Sequence, residues 1–206
     1  MRNLWTANLT LANRITIGRF LLIPVYILLT LYYMKSVTEH TPGEMFRWSA
    51  LMVYVVTCLT DALDGYFARS RNERTRLGTL LDPLADKTLL ISSLLLLTGP
   101  WGQQCFNPHL PLWYVFLVIS RDTLLVMGSV VIHVAVGHTE VKPRISGKIA
   151  TFFQMGLILW VLAQAPAGGF PWMLGIAAGF TLISAYQYIS DGIRQLEKTH
   201  AHEKHS

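Results

Sequence analysis

The chain has 206 residues, of which 52% are hydrophobic and 14% are charged. A typical soluble domain is about 45–50% apolar and about 25% charged, so this composition excludes a disordered, collagen-like or disulfide-stapled chain and indicates a membrane protein. The formal net charge is +5, which we interpret as a bias that orients the protein in the bilayer, and we expect no nucleic-acid partner.

The first segment, residues 1–14, is too polar to cross a membrane. Its apolar residues Leu4, Trp5, Leu9 and Leu11 predict a short interfacial helix that lies along the inner leaflet. An irregular arm is the alternative. In either case we expect residues 1–14 to form a cytoplasmic or interfacial segment.

Six stretches follow that are long enough to cross a bilayer, since a span needs about 20 mostly apolar residues. They are residues 15–34, 48–68, 79–99, 112–134, 149–165 and 171–190. Backbone groups in hydrocarbon must be satisfied within their own segment, so we expect an all-α, polytopic domain of six transmembrane helices over residues 15–190. Residues 191–206 are expected to form a polar cytoplasmic tail that is frayed from Glu197.

The basic residues predict the orientation. Apart from Lys87 and Arg121 inside the spans, nearly all Lys and Arg residues fall on the side that carries the N-terminus, and only Lys35 and Arg47 fall on the other. Cytoplasmic loops are enriched in Lys and Arg. We therefore expect a multi-pass protein of the bacterial inner membrane with both termini in the cytoplasm.

Four of the aspartates lie at the inner ends of the second and third spans, namely Asp61, Asp64, Asp82 and Asp86. The first two are three residues apart and the last two are four apart, so each pair shares a helix face. The two helices are antiparallel and joined by a short loop, which allows four carboxylates to converge. Carboxylates in a membrane are costly, and hard divalent cations that take oxygen ligands would compensate their charge.

The four aspartates also allow an interpretation without a bound metal. A buried ion-pair network with Arg69 or Lys87, as in a metal or proton transporter, is the alternative to a metal site. The outer halves of the predicted helices are nearly free of charge, which disfavours a transport path across the membrane. The basic loop at residues 69–76 suits a phosphate-bearing substrate, although a solvated loop is the ordinary reason for such a run.

The segment from Asp61 to Asp86 resembles the signature of the CDP-alcohol phosphotransferases, D-x2-D-G-x2-A-R-x8-G-x3-D-x3-D. Every fixed position of the signature matches. The resemblance implies an enzyme whose four aspartates bind two divalent cations, Mg²⁺ or Mn²⁺, with Asp86 also the base that deprotonates the acceptor hydroxyl. It further implies a nucleotide pocket lined by Gly65, Ala68, Arg69 and Gly78. The implied reaction transfers the phosphatidyl group of CDP-diacylglycerol to an alcohol and releases CMP.

Other strings concern the acceptor alcohol. Residues 11–19 resemble the P-N-x-L-T-x-x-R start of phosphatidylglycerophosphate synthases, with Ala12 and Ile15 as departures, and residues 81–87 match their L-D-P-x-A-D-K form. These strings favour glycerol 3-phosphate as the acceptor. Residues 119–122, 142–148 and 184–188 are similar to strings of cardiolipin synthases, for which the acceptor is phosphatidylglycerol. Cardiolipin synthesis is therefore the alternative function.

Three cations are candidates for binding an acceptor phosphate, namely Arg121, Arg144 and Lys148. Arg121 could equally be a buried charge satisfied by neighbouring helices, and the other two could be anchors of the positive-inside type. In the last span, Gly175 and Gly179 have the G-x-x-x-G spacing of close helix contacts. That contact could lie within the bundle or between two copies, and the family resemblance favours a homodimer.

Overall fold

The computed structural model describes the backbone of residues 11–71, 76–136 and 145–203, and the side chains of residues 18–60, 84–128 and 145–192. Within these ranges the chain forms helices and no strands. The helices are α1 (Leu11–Thr38), α2 (Glu44–Arg71), α3 (Arg76–Thr98), α4 (Pro100–Cys105), α5 (Leu112–Val136), α6 (Ile145–Leu162) and α7 (Phe170–Glu203). The prediction of an all-α fold is confirmed.

Each of the six predicted spans falls mainly within one long helix. Among the described residues, three helices are long and apolar enough to cross a membrane, at Gly18–Thr38, Ile145–Leu162 and Ala167–Gly192. This is three candidate spans and not the predicted six. Because the described side chains of α2, α3 and α5 cover only part of each helix, the number of spans remains a prediction.

The long helices pack as two groups of three. Helix α1 packs against α2 and α3, α7 packs against α5 and α6, and the contacts of α6 with α2 and α3 join the groups. Large apolar side chains are both buried between the helices and exposed on the outside of the bundle. Buried examples are Tyr26, Leu94, Leu157 and Ile158, and exposed examples are Leu21, Met52, Phe116, Phe152 and Trp172. Such an apolar exterior suits a protein surrounded by lipid.

Three details differ from the sequence-based predictions. Helix α1 begins at Leu11, so the end of the predicted interfacial segment belongs to α1, while residues 1–10 lie outside the described residues. Helix α7 continues to Glu203, so the prediction of a frayed tail from Glu197 is wrong up to that residue; its glutamate and lysine residues are good helix formers. Helix α4 was not predicted, because Gly99-Pro100 was interpreted only as a break, whereas proline is favourable in a first helical turn.

The last span contains the G-x-x-x-G pair. Among the described residues, nothing lies within 4 Å of a Cβ placed on Gly175 or on Gly179. No close helix contact between described parts of the bundle therefore uses this pair.

Candidate active site

The predicted acids lie on two helix ends that are adjacent in the chain. The backbone places Asp61 and Asp64 on α2, which ends at Arg71, and Asp82 and Asp86 on α3, which begins at Arg76. Those two ends are joined by residues 72–75 alone, so they can be at most about 18 Å apart. Of the four aspartate side chains, only that of Asp86 is among the described ones. Convergence of all four carboxylates therefore remains a prediction.

The other predicted site residues are unevenly covered. Gly65, Ala68 and Arg69 lie on α2 and Gly78 lies on α3, but their side-chain environments are outside the described residues, as is all of Arg144. Lys148 is on the first turns of α6 and is exposed.

Asp86 is half-buried on α3. Its carboxylate is close enough to the hydroxyl of Tyr54, on α2, to interact with it electrostatically. Tyr54 itself is fully buried. Asp86 on α3 is therefore within electrostatic range of a buried residue on α2.

A polar network connects α3 with α5 and α7. The ammonium of Lys87 donates to Oδ2 of Asp122 at 2.5 Å, and Nη1 of Arg121 donates to Oδ1 of the same carboxylate at 2.9 Å. Nη2 of Arg121 donates to the hydroxyl of Ser184 at 2.9 Å. We call these four residues the Asp122 network. It begins with the residue that follows Asp86 in the chain.

The network is partly buried and carries two cations for one carboxylate. The side chains of Arg121 and Asp122 are 6% and 11% exposed, whereas that of Lys87 is 40% exposed. Removing one partner of a buried ion pair costs about 3–5 kcal/mol, because the other charge is left uncompensated. Nε of Arg121 is buried and makes no hydrogen bond among the described residues. The four residues of the network therefore carry more positive than negative charge.

Arg121 is thus bound by Asp122 of its own helix and by Ser184 of α7, which agrees with the interpretation of a buried charge satisfied within the bundle. These hydrogen bonds satisfy two of its three nitrogen atoms.

The start of α6 is packed closely against this network. A Cβ on Gly147 would lie 2.8 Å from Nη2 of Arg121 and 3.4 Å from the hydroxyl of Ser184. The preceding residue, Ser146, donates its hydroxyl to Oε1 of Gln187 on α7 at 2.7 Å. Glycine at position 147 therefore allows the first turn of α6 to approach α5 and α7.

Sequence reasoning did not identify Asp122, Gly147 and Ser184 as site residues. The signal was present, because the three strings that contain them, at residues 119–122, 142–148 and 184–188, were singled out for their resemblance to cardiolipin synthases. The structure brings these three strings into contact through Arg121, Gly147 and Ser184.

Comparison with known proteins gives consistent results. A family model described as CDP-alcohol phosphatidyltransferase matches residues 9–184. A probable phosphatidylglycerophosphate synthase of Mycobacterium tuberculosis is 30% identical over 190 residues, which cover 90% of this chain and 83% of that protein. The CDP-diacylglycerol–glycerol-3-phosphate 3-phosphatidyltransferase of Bacillus subtilis is 31% identical over 189 residues, which cover 87% and 93%. A cardiolipin synthase (CMP-forming) of Streptomyces coelicolor is 30% identical over 174 residues, which cover 84% and 72%.

Proposed function

Because the chain belongs to the CDP-alcohol phosphatidyltransferase family, we propose that it transfers the phosphatidyl group of CDP-diacylglycerol to glycerol 3-phosphate and releases CMP. This reaction supplies the synthesis of phosphatidylglycerol and cardiolipin. The observation that carries the choice of acceptor is the pair of cations next to Asp86, where Lys87 and Arg121 share the carboxylate of Asp122. A small phosphate dianion is the kind of acceptor that such a group of cations binds well.

The metal site is proposed at the four aspartates. We propose that Asp61, Asp64, Asp82 and Asp86 hold two divalent cations, Mg²⁺ or Mn²⁺, since these hard ions prefer carboxylate oxygens. The electrostatic interaction of Asp86 with Tyr54 supports this, because Tyr54 is on α2, the helix that also carries Asp61 and Asp64. Bound cations at this place would polarise the phosphoryl group and stabilise the departing CMP.

The proton transfer is assigned to Asp86. Its carboxylate accepts the proton of the acceptor hydroxyl while the hydroxyl oxygen forms a bond to the phosphorus of the phosphatidyl group. The bond between that phosphorus and the oxygen of CMP breaks, and CMP leaves with the electron pair. The half-buried position of Asp86 is compatible with access from the aqueous side and with partial exclusion of water.

The acceptor phosphate is assigned to the cations next to Asp86. Lys87 is adjacent in the chain and partly exposed, so it can reach the phosphate directly. Arg121 is buried and contributes its positive charge. Lys148, in the first turn of α6, and Arg144, which lies four residues before it in the chain, are proposed as further contacts on the strength of their charge and their place in the sequence.

The nucleotide pocket is proposed from the signature alone. Gly65, Ala68 and Gly78 would let the cytidine approach the backbone closely, and Arg69 would bind phosphate. All four residues belong to the two helix ends that carry the aspartates.

We place the enzyme in the bacterial inner membrane with six spans, and with its termini and active site on the cytoplasmic side. The three apolar helices of the described chain and the distribution of Lys and Arg support this arrangement. We also propose a homodimer in which Gly175 and Gly179 of α7 contact a second copy, because the described bundle leaves open space around both.

Cardiolipin synthesis from phosphatidylglycerol is the second candidate function. The match to the cardiolipin synthase of Streptomyces coelicolor favours it. Phosphatidylglycerol carries one charge and two acyl chains, so its use would require a groove accessible to lipid more than a basic pocket.

A transfer assay separates the two functions. Purified protein in detergent receives CDP-diacylglycerol and Mg²⁺, with glycerol 3-phosphate or phosphatidylglycerol in separate reactions, and CMP release is measured. We expect CMP with glycerol 3-phosphate only. Release with phosphatidylglycerol only would assign the protein as a cardiolipin synthase.

The matched control uses two carboxylate variants. Asp86→Asn is expected to abolish CMP release, whereas Glu39→Gln removes an exposed carboxylate that pairs with Lys35 at the other end of the bundle and is expected to change nothing. No release with either acceptor, or equal release from Asp86→Asn and the unmodified protein, would contradict both functions.

A further inference from the structure

The described helices form two groups, which are joined by contacts of α6 with α2 and α3 and of α3 with α5. Helices α1–α3 form one group, which carries Asp86, and helices α5–α7 form the other, which carries Lys148 and Arg121. We call them the donor half and the acceptor half, names that rest on the proposed function. We propose that Asp122 is a positioning residue that holds the two halves in alignment for phosphatidyl transfer.

Hydrogen bonds of Asp122 link the donor half to the acceptor half. Asp122 accepts a hydrogen bond from Lys87 of the donor half and one from Arg121 of its own half. As far as the structure describes these helices, α3 packs more extensively against α1 than against α5. Where apolar packing between two helices is sparse, an ion pair with little exposure makes a larger contribution to their relative position. Lys87 directly follows Asp86, so fixing Lys87 also restricts rotation of the turn that carries Asp86.

In the acceptor half, Arg121 is held in place by its contacts with α6 and α7. Arg121 is bound at one nitrogen by Asp122 and at another by Ser184 of α7. Gly147 of α6 lies against the same guanidinium, so that a Cβ at this position would come within 2.8 Å of Nη2. Asp122 therefore influences, through Arg121, the positions of α7 and α6. Helix α6 carries Lys148 of the proposed acceptor site.

Asp122 itself is not arranged as a proton acceptor for a substrate. Its side chain is 11% exposed, and each of its oxygens already accepts a hydrogen bond from a cation. It is therefore poorly placed to take a proton from a substrate. Asp122 would affect the reaction by orienting Lys87 and Arg121, without touching the substrate itself.

The test is the variant Asp122→Asn, which keeps the size of the side chain and removes its charge. We expect kcat to fall roughly 10- to 100-fold, because small misplacements of reacting groups have effects of that size. The KM for glycerol 3-phosphate should rise, while the KM for CDP-diacylglycerol stays within about twofold, since the donor half keeps its own packing. Asp122→Glu, which retains the charge, should recover part of kcat.

A matched control acts on the opposite end of the bundle. There Arg47 of α2 pairs with Glu44 and donates to the carbonyl of Leu162 at the end of α6 at 3.1 Å. Glu44→Gln removes an ion pair beside a contact that also joins the two halves. It is expected to leave kcat and both KM values unchanged.

A second readout is independent of the acceptor. In hydrogen exchange followed by mass spectrometry, Asp122→Asn should increase exchange around residues 84–89 of α3 and 145–150 of α6, and Glu44→Gln should not. Unchanged kinetics and unchanged exchange in Asp122→Asn would overturn the proposal, as would a loss of kcat without increased exchange. If the unmodified protein releases no CMP with either acceptor, the proposed function is contradicted. Increased exchange in Asp122→Asn would in that case still support the link between the halves.

Ser184→Ala keeps the proposal testable if Asp122→Asn does not fold. This variant removes one hydrogen bond of Arg121 and no charge. It should give the same pattern of kcat, KM and exchange with a smaller amplitude. A folded Ser184→Ala protein with unchanged values of all three would overturn the proposal.

Discussion

Replacing Gly147 by alanine is expected to destabilise the protein, because the new Cβ would lie 2.8 Å from Nη2 of Arg121 and 3.4 Å from the hydroxyl of Ser184. Arg121 cannot move aside without cost. Its two hydrogen bonds, to Asp122 and to Ser184, are both 2.9 Å long, and its side chain is 6% exposed.

The magnitude follows from the contact that must give way. Moving Nη2 away from the Cβ weakens the hydrogen bond between Arg121 and Ser184, and a hydrogen bond to a charged group contributes about 1.5–3 kcal/mol. Alanine favours the helix over glycine by at most about 1 kcal/mol. The net loss in the free energy of unfolding is therefore about 0.5–2 kcal/mol, which for a chain of this length lowers Tm by roughly 1–8 °C.

The assay is thermal unfolding of purified protein in one detergent, followed by tryptophan fluorescence. Gly168→Ala, between α6 and α7, is the control, because nothing in the described chain lies within 4 Å of a Cβ at that position, and its Tm should be unchanged. If Gly147→Ala unfolds at the same temperature as Gly168→Ala, the close packing of α6 against Arg121 does not contribute to stability and the expected destabilisation is contradicted.

Three further predictions concern the metal, a cysteine and the dimer. EDTA should abolish CMP release and added Mg²⁺ or Mn²⁺ should restore it; activity that persists in EDTA would contradict the metal site. Burial raises the pKa of the Cys105 thiol, so at pH 8 this thiol should stay protonated and react with iodoacetamide more slowly than in the unfolded protein; equal rates would contradict its burial. Replacing both Gly175 and Gly179 by leucine should lower the dimer fraction measured by light scattering, and an unchanged fraction would exclude this face as the interface.

Much of the fold could be predicted because apolar segments long enough to span lipid have few alternatives to a helix. Each of the six predicted segments lies mainly in one long helix. The start of α1 at Leu11 and the extent of α7 to Glu203 were not predicted, because polar residues continue a helix without changing its apolar span. Helix α4 was missed because Pro100 can either break a helix or begin one.

The candidate site was predictable only where it depends on local spacing. The intervals between Asp61, Asp64, Asp82 and Asp86 are visible in the sequence, and so is their signature. The pairing of Lys87 with Asp122 joins residues 35 positions apart, and that of Arg121 with Ser184 joins residues 63 positions apart. Such pairs depend on how each helix is rotated and packed, which a single sequence does not specify.

The most direct test of the account is the identity of the lipid product. Purified protein is supplied with CDP-diacylglycerol, Mg²⁺ and both acceptors together, and the lipids are analysed by mass spectrometry while CMP is quantified. We predict that phosphatidylglycerophosphate appears in equal amount to CMP, and that Asp86→Asn forms neither. Formation of cardiolipin instead, or of no new lipid, would contradict the proposed transfer to glycerol 3-phosphate.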